Sequence, residues 1–587
     1  MPNSSNVHEQ FAGFFEDREI RPFVQLLSQK LSDGHICIDP DKMAEPEDPD
    51  AFLKAHPLVT SKEGPKRPFV WHRNRLYFQR YFHYESGILE RIRAFLNREQ
   101  QENDARRELL LKHREQVRLL FGAGKDASGK ARFDWQMTAA LMALSNSFTI
   151  ISGGPGTGKT TTVAKILALL FSMQPNVKVA LAAPTGKAAY RMAESLKNAS
   201  QNLDPELVDK FAVLEPQTLH RLLKARGTSN TFEHNASYPL QFDLLIVDEA
   251  SMIDVALFYR LMDALPDTAR LILLGDKDQL ASVEAGSVLG DLCQTQEQLN
   301  GLSADKVDFI NSFLEAGEEQ FPEDLRAKGP QNALNGHVVQ LKYSHRFSGD
   351  KGIGLLSQAI IHNQSDAIGA FLAKDQDEAV QIDQDYRNDC FEDFVAGYEA
   401  YIKEPDLALA LKKLNHLRVL CAIREGEQGV NRINKRIEEY LQRKGLLDVE
   451  EEFYLHRPVM VLQNNPALGL FNGDAGIVRK DEKGISKVWF EDARGCLKSF
   501  IPGHIGAVET IFATTIHKSQ GSEFNKVLVL LPNFRDLPLL TRELVYTAIT
   551  RARSFVLLQA SAEVLSAAAE RRVERVSGLA HRIDELI

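Results

Sequence analysis

The sequence predicts an α/β protein with two parallel-sheet domains in tandem, and three observations carry that expectation. From about residue 130 short apolar runs alternate with helical patterns: FTIIS (148–152), KVALAA (178–183), FDLLIVD (242–248) and RLILLGD (270–276). Such alternation builds parallel strands joined by crossover helices. A second series, VVQLKYS (338–344), LRVLCAI (417–423), ETIFATT (509–515), KVLVLL (526–531) and SFVLLQ (554–559), predicts a second domain of similar size. Between its strands, residues 457–503 change texture, with short strands separated by NG, EKG and ARG turns. That pattern predicts a small β-barrel inserted into the second domain.

Taken in order, residues 1–118 form an N-terminal mixed, mainly helical domain. It contains a Pro/Asp/Glu-rich stretch, DPDKMAEPEDPD (39–50), expected to be exposed. RPFVWHRNRLYFQRYFHYESGILERIRAFLNREQ (67–100) begins as alternating strands and ends as an amphipathic helix, and ENDARRELLLKHREQVRLLF (102–121) continues as a charged helix. The first α/β domain is expected over 119–335, with a β-hairpin in ARGTSNTFEHNASYPL (225–240). The second is expected over 336–587, with its insertion at about 430–505.

Bulk properties exclude several classes. The 587 residues are 44% hydrophobic and 26% charged, ordinary for a globular protein with large cores. The apolar runs LILL (271–274) and VLVLL (527–531) are far too short to span a bilayer. The first twenty residues lack a basic start followed by an apolar run, so no signal peptide is expected. Cys37, Cys293, Cys390, Cys421 and Cys496 are odd in number with no C-x-x-C spacing, which suggests neither a disulfide framework nor a zinc or iron–sulfur site. A cytoplasmic location fits. The net charge of −10 argues against uniform coating by nucleic acid but leaves room for a local basic channel.

The chemistry begins at GGPGTGKTTT (153–162), which follows a predicted strand and precedes a predicted helix. Gly153, Gly154, Pro155, Gly156, Thr157 and Gly158 let backbone N–H groups curl around phosphates at a helix N-terminus. Lys159 would reach the β- and γ-phosphates, and the Thr160 hydroxyl, next to Thr161, would bind Mg²⁺. In LLIVDEAS (244–251) a buried strand delivers Asp248 to the Mg²⁺ shell and Glu249 to the attacking water. These features specify nucleoside triphosphate hydrolysis but not its use. LLGDKDQLASVEAG (273–286) adds Gln279 at a strand end, where it can sense a γ-phosphate. SHRF (344–347) and YTAITRAR (546–553) place Arg346 and Arg551 in the second α/β domain, facing a cleft that closes on nucleotide. TTIHKSQGSEF (514–524) crowds together His, Lys, Ser and Glu, but no third triad member accompanies them, so it is not a Ser–His hydrolase site.

In order, DWQ (134–136), GGPGTGKT (153–160), APTGKAA (183–189), TLHRLL (218–223), VDEAS (247–251), GDKDQL (275–280), YSHRF (343–347), TIHKSQGSEF (515–524) and YTAITRAR (546–553) resemble the motifs of superfamily 1 helicases, and in detail those of the RecD branch. The resemblance covers about 130–560. It implies two RecA-like P-loop domains in tandem with an SH3-like β-barrel insertion (2B) and a small 1B hairpin. It also implies ATP and Mg²⁺ as cofactors and 5′-to-3′ movement along single-stranded DNA. RLYFQRYFHYE (75–85) resembles the domain that contacts a gamma subunit, which implies a heterotrimer with RecB-like beta and RecC-like gamma subunits at DNA ends. A stand-alone helicase of the same branch is the alternative. By resemblance Gln136 recognises adenine, Glu523 the ribose, and Gln279, Arg346 and Arg551 the γ-phosphate, with Arg551 as finger. Thr185, His220, Thr515, His517 and Lys518 fall in motifs that line the DNA track, and Gln520 and Glu523 would face the nucleotide.

Overall fold

The computed structural model describes residues 7–586 except 41–47, 63, 123, 125–131, 202–203, 227–230, 296–298, 329–331, 348, 350, 374–376, 466 and 493–494. Most of the acidic stretch at 39–50 lies outside the described residues.

Six parallel strands form the first sheet, in the order Val338–Leu341, Phe148–Gly153, Arg270–Gly275, Leu244–Val247, Val179–Ala183, Gln217–Thr218. Helices cover both faces, so the central strands are buried along their whole length and read as unbroken apolar runs. One expectation is corrected here. VVQLKYS was assigned to the second domain, yet Val338 to Leu341 pair in parallel with Ile150 to Gly153, beside the phosphate-loop strand. The Leu341 Cβ would lie 3.2 Å from a Cβ on Gly153, so this edge strand packs beneath the start of that loop. An apolar run records that it is buried, not which sheet buries it.

The second sheet is also parallel, ordered Val380–Asp383, Ala552–Gln559, Phe524–Leu530, Leu417–Cys421, Ala513–Thr515. Its edge strand Val380–Asp383 went unpredicted. ETIFATT, expected as one strand, divides: Val508–Thr510 joins the inserted sheet and Ala513–Thr515 joins the parallel one. The insertion is five antiparallel strands, ordered Leu497–Phe500, Ser486–Glu491, Ala475–Lys480, Pro458–Val461, Val508–Thr510, around Val459, Val461, Val478, Val488 and Phe490. The helix Val430–Arg443, expected within the insertion, instead buries Ile433, Ile437 and Leu441 in the core of the second domain. At 225–240 the antiparallel bridges Ala225–Phe232 and Asn235–Tyr238 mark the hairpin.

At the N-terminus, Cys37–Ile38, Arg75–Phe78, Phe69–His72 and Val59–Thr60 make a four-stranded sheet. A single 34-residue helix, Gln79–Lys112, follows. It crosses the first α/β domain so closely that a Cβ on Gly87 would lie 2.3 Å from the Tyr259 ring. Phe95 stacks on Phe148 at 6.0 Å.

The chain beyond helix Ala562–Glu570 departs from the second domain, to which the sequence reading assigned it. Arg575 donates to the carbonyls of Glu284 (2.7 Å) and Gly286 (3.0 Å) in the first domain. Val576 N–H donates to the His35 ring Nδ1 at 2.9 Å, and its carbonyl accepts from Ile36 N–H at 3.0 Å. Arg582 and Glu85, 1% and 0% exposed, then pair inside the N-terminal domain. Among the described residues no helix is long and apolar enough to cross a membrane.

Candidate nucleotide and DNA sites

The strand Phe148–Gly153 ends in a tight loop, and the helix Lys159–Met173 begins directly after Gly158. Gly156 and Gly158 hold φ of 78° and 84°, which an L side chain rarely adopts. Space opposes one at Gly156, where a Cβ would lie 2.4 Å from the Arg346 Cβ, and at Gly158 a Cβ would displace the Gln136 amide, 2.3 Å away. Thr157 Oγ1 donates to the Gly154 carbonyl at 2.8 Å, and Lys159 Nζ donates to those of Gly153 (2.6 Å) and Gly154 (3.3 Å).

This loop forms one wall of a cleft of about 760 Å³ between the two α/β domains. Gln136, Lys159, Thr160, Thr161, Asp248, Glu249 and Gln279 line it from the first domain; Arg346, Glu523 and Arg551 line it from the second. Pro155 to Gly158 also face it, whereas Gly153 and Gly154 sit behind them and present carbonyls to Lys159.

The acidic pair follows strand Leu244–Val247. Glu249 holds φ 52°, a strained conformation for a residue with a side chain, and its N–H donates to Asp248 Oδ1 at 2.8 Å. Burial drives the Asp248 carboxyl upward, the Glu249 carboxylate adds to this, and Lys159 opposes both.

After strand Arg270–Gly275 the chain turns at Asp276 and Gln279, and the second domain clamps the turn from three sides. Tyr546 Oη donates to Asp276 Oδ2 at 3.0 Å, Leu280 N–H donates to Thr547 Oγ1 at 3.0 Å, and Gln520 Nε2 donates to the Leu280 carbonyl at 2.9 Å. Gln520 was expected at the nucleotide; it braces this turn instead. Gln279 Nε2 donates to Asp276 Oδ2 at 3.2 Å.

Arg346 and Glu523, expected on different parts of a nucleotide, pair with each other at 2.6 Å, and Arg553 holds the other Glu523 oxygen at 3.1 Å. Burial pushes the Glu523 carboxyl up, but Arg346, Arg191 and Arg553 together bring it down to about 2. The SHRF segment is stitched to the phosphate loop: His345 N–H donates to the Gly156 carbonyl at 2.8 Å and Ser344 Oγ to that of Pro155 at 3.1 Å. Arg551 is buried, donating to the carbonyls of Thr547 and Ser522, both at 3.2 Å.

Sequence reasoning missed several contributors, among them Arg553 on Glu523. A recess of about 220 Å³ adjoins the cleft at Gln136, and the Arg132 guanidinium lies 4.6 Å over the Tyr343 ring beside it. Tyr343 opens the YSHRF motif, so an aromatic next to the arginine motif was an available signal. Arg191 also lines the cleft, and its only signal was a position one helical turn after Lys187 in APTGKAAYR.

None of the five candidate DNA residues lines the cleft. Thr185 caps helix Gly186–Ser200, its Oγ1 accepting from Ala188 N–H at 3.2 Å. His220 is exposed, its ring 5.9 Å from that of Phe232 in the hairpin. Thr515 Oγ1 accepts from Lys518 N–H at 3.3 Å, while Lys518 Nζ pairs with Glu509 at 2.8 Å. His517 is half-buried; burial lowers its pKa and Arg575 adds to the effect. Gly521, at φ 66°, lets this segment approach the first domain, where an added Cβ would meet Ala188 Cβ at 3.5 Å and Thr185 Oγ1 at 3.6 Å.

Comparison with known proteins matches the family described as AAA domain to residues 136–285 and the UvrD-like helicase C-terminal domain to residues 510–558. The chain is 35% identical to the RecBCD enzyme subunit RecD of Mycolicibacterium smegmatis, over 97% of this chain and 94% of that one. To the RecBCD enzyme subunit RecD of Haemophilus influenzae it is 35% identical, over 77% of this chain and 73% of that one. To the ATP-dependent RecD2 DNA helicase of Deinococcus radiodurans it is 28% identical, over 79% of this chain and 54% of that one.

Proposed function

The chain belongs to the RecD family, and from that premise we propose that it moves 5′-to-3′ along single-stranded DNA as the alpha subunit of an exonuclease V-type heterotrimer. That it is an ATP-dependent DNA helicase follows from the membership itself. Its partners are RecB-like and RecC-like subunits, its substrate is the 5′-ended strand of a duplex end, and its role is recombinational repair in the cytoplasm, at the nucleoid.

One observation carries this reading. A single cleft gathers Lys159, Asp248, Glu249 and Gln279 from one α/β domain and Arg346 and Arg551 from the other. Glycine N–H groups and Lys159 hold the phosphates. Glu249 orients the attacking water and takes its proton. Arg551 supplies the positive charge that phosphoryl transfer needs, worth roughly 10³–10⁵ in rate, and only when the domains close. Gln279 lies in a turn clamped by Tyr546, Thr547 and Gln520, so loss of a γ-phosphate is felt in the second domain.

Thr160 and Asp248 would hold Mg²⁺. The donors fit a hard cation, and the Asp248 carboxyl, driven upward by burial and by Glu249, is a group that a cation would return to its ionised form. Among the described residues no group of three or more His, Cys, Asp or Glu is placed to hold a metal ion. When bound, Mg²⁺ neutralises charge on the β- and γ-phosphates.

Thr185, His220, Thr515, His517 and Lys518 form the DNA track, reading phosphates rather than bases. The inserted sheet is the SH3-like 2B domain, the hairpin is 1B, and the N-terminal domain meets the gamma subunit. The heterotrimer is favoured over a stand-alone helicase because the chain is 35% identical to the Mycolicibacterium subunit over 97% of its residues but 28% identical to the Deinococcus helicase over 79%.

Strand displacement on 5′-tailed and 3′-tailed duplexes tests the proposal, with the chain alone and with its partners. Unwinding confined to 3′-tailed duplex would overturn the polarity. Robust unwinding of 5′-tailed duplex by the chain alone would overturn the need for partners.

A further inference from the structure

Arg191 belongs to none of the residues assigned a role above. It projects from helix Gly186–Ser200 of the first domain into the cleft, and its Nη2 donates to the Glu523 carbonyl of the second domain at 3.3 Å. One turn earlier on the same helix, Lys187 Nζ lies 5.7 Å over the Phe524 ring. Residues four apart share a helix face, so a single face meets two consecutive residues of the second domain. The helix therefore meets the Glu523 main chain through Arg191 and the Phe524 side chain through Lys187. Burial brings the Arg191 guanidinium down to about 10 despite the Glu523 carboxylate; Arg551 and Arg553 add to the fall and Glu249 opposes it.

The two ends of this helix face different tasks. Its N-cap is Thr185, a DNA-track residue that also abuts Gly521. Beyond Arg191 the contacts continue: Glu523 pairs with Arg346 at 2.6 Å, and His345 N–H bonds the Gly156 carbonyl of the phosphate loop at 2.8 Å. Every joint between track and phosphate loop is thus a direct contact. We infer that Arg191 is a positioning residue for hydrolysis, holding the main chain at Glu523 so that strand engagement at the Thr185 end sets the second domain's face of the nucleotide cleft. The inference rests on the reading of that cleft as the ATP site.

Steady-state ATPase of the full-length chain, with and without saturating oligothymidine, tests it in Arg191→Ala and Arg191→Lys. In Arg191→Ala the DNA-stimulated kcat should fall by about tenfold or more, the size of an ordinary coupling, with the KM for ATP within about threefold of the parent. Arg191→Lys keeps a cationic donor and should recover much of the loss; it also carries the test if the alanine variant does not fold. Parental DNA-stimulated kcat in Arg191→Ala would overturn the inference, as would a loss confined to KM or equal loss in both variants. Absence of DNA-stimulated ATPase in the parent protein, both alone and assembled with its partner subunits, would instead remove the reading of the cleft.

Discussion

Raising the pH from 5 to 7.5 should loosen the contact between residues 575–579 and the first domain, and Asp291→Asn should abolish that response. Asp291 lies on helix Val288–Gln294 and is buried. Burial pushes its carboxyl up to about 7; the Ser577 hydroxyl pulls it down, Glu85 pushes further up, and Arg575 opposes. In the unfolded chain the same group titrates near ~3.9. Between those values the folded protein holds a proton that the unfolded chain has released, so stability falls as pH rises through this window and levels off above it. Three pH units at about 1.4 kcal/mol each amount to about 4 kcal/mol, of which about 3 kcal/mol falls between pH 5 and 7. Asparagine has nearly the same shape and no charge to bury. Pulse proteolysis in urea and hydrogen exchange at residues 575–579, run at pH 5 and 7.5, should show the variant gaining on the parent as pH rises. A stability difference that is the same at both pH values, or a parent as stable as the variant at pH 7.5, would refute the reasoning.

Three further outcomes are expected at the cleft. Lys159→Gln removes the charge that meets the phosphates, and ATPase and unwinding should both fall to background in a coupled-enzyme assay. Arg551→Ala should keep the affinity for a fluorescent ATP analogue while kcat drops about 10³-fold, the worth of an arginine finger; undiminished turnover would remove that role. Gly158→Ala forces a side chain onto φ 84° and onto Gln136, a backbone cost of about 1–2 kcal/mol before any collision. Nucleotide affinity by titration should fall by about tenfold.

Local patterns named most of the site. The phosphate loop, the acidic pair and the two arginine motifs are contiguous stretches whose spacing is dictated by chemistry, and they converge on one cleft. What the sequence hid is long-range. Val338–Leu341 reads the same in either sheet, because burial on both faces gives the same apolar run. ETIFATT hid a change of sheet inside seven residues, since Ile511 and Phe512 are buried and sustain the apolar pattern through the break. Gln520 looked like a nucleotide ligand because its neighbour Glu523 is in the cleft, but three residues of a turning chain separate two different faces. Arg191 carries no motif signature, because its partner is a carbonyl, which every residue has. The packing of residues 575–586 onto the N-terminal domain depends on Arg582 and Glu85, nearly five hundred positions apart, and no local pattern encodes such a pair.

The chain passes between the two α/β domains twice, once just after Leu341 and again where residues 571–576 leave the second domain and fasten beside Glu284 and Ile36. Two covalent crossings restrain the second domain's turning against the first more than one would, beside the bonds that Tyr546, Thr547 and Gln520 make to the Asp276–Leu280 turn. Were His517 and Lys518 to hold DNA as proposed, any travel they deliver would have to be accommodated by both crossings.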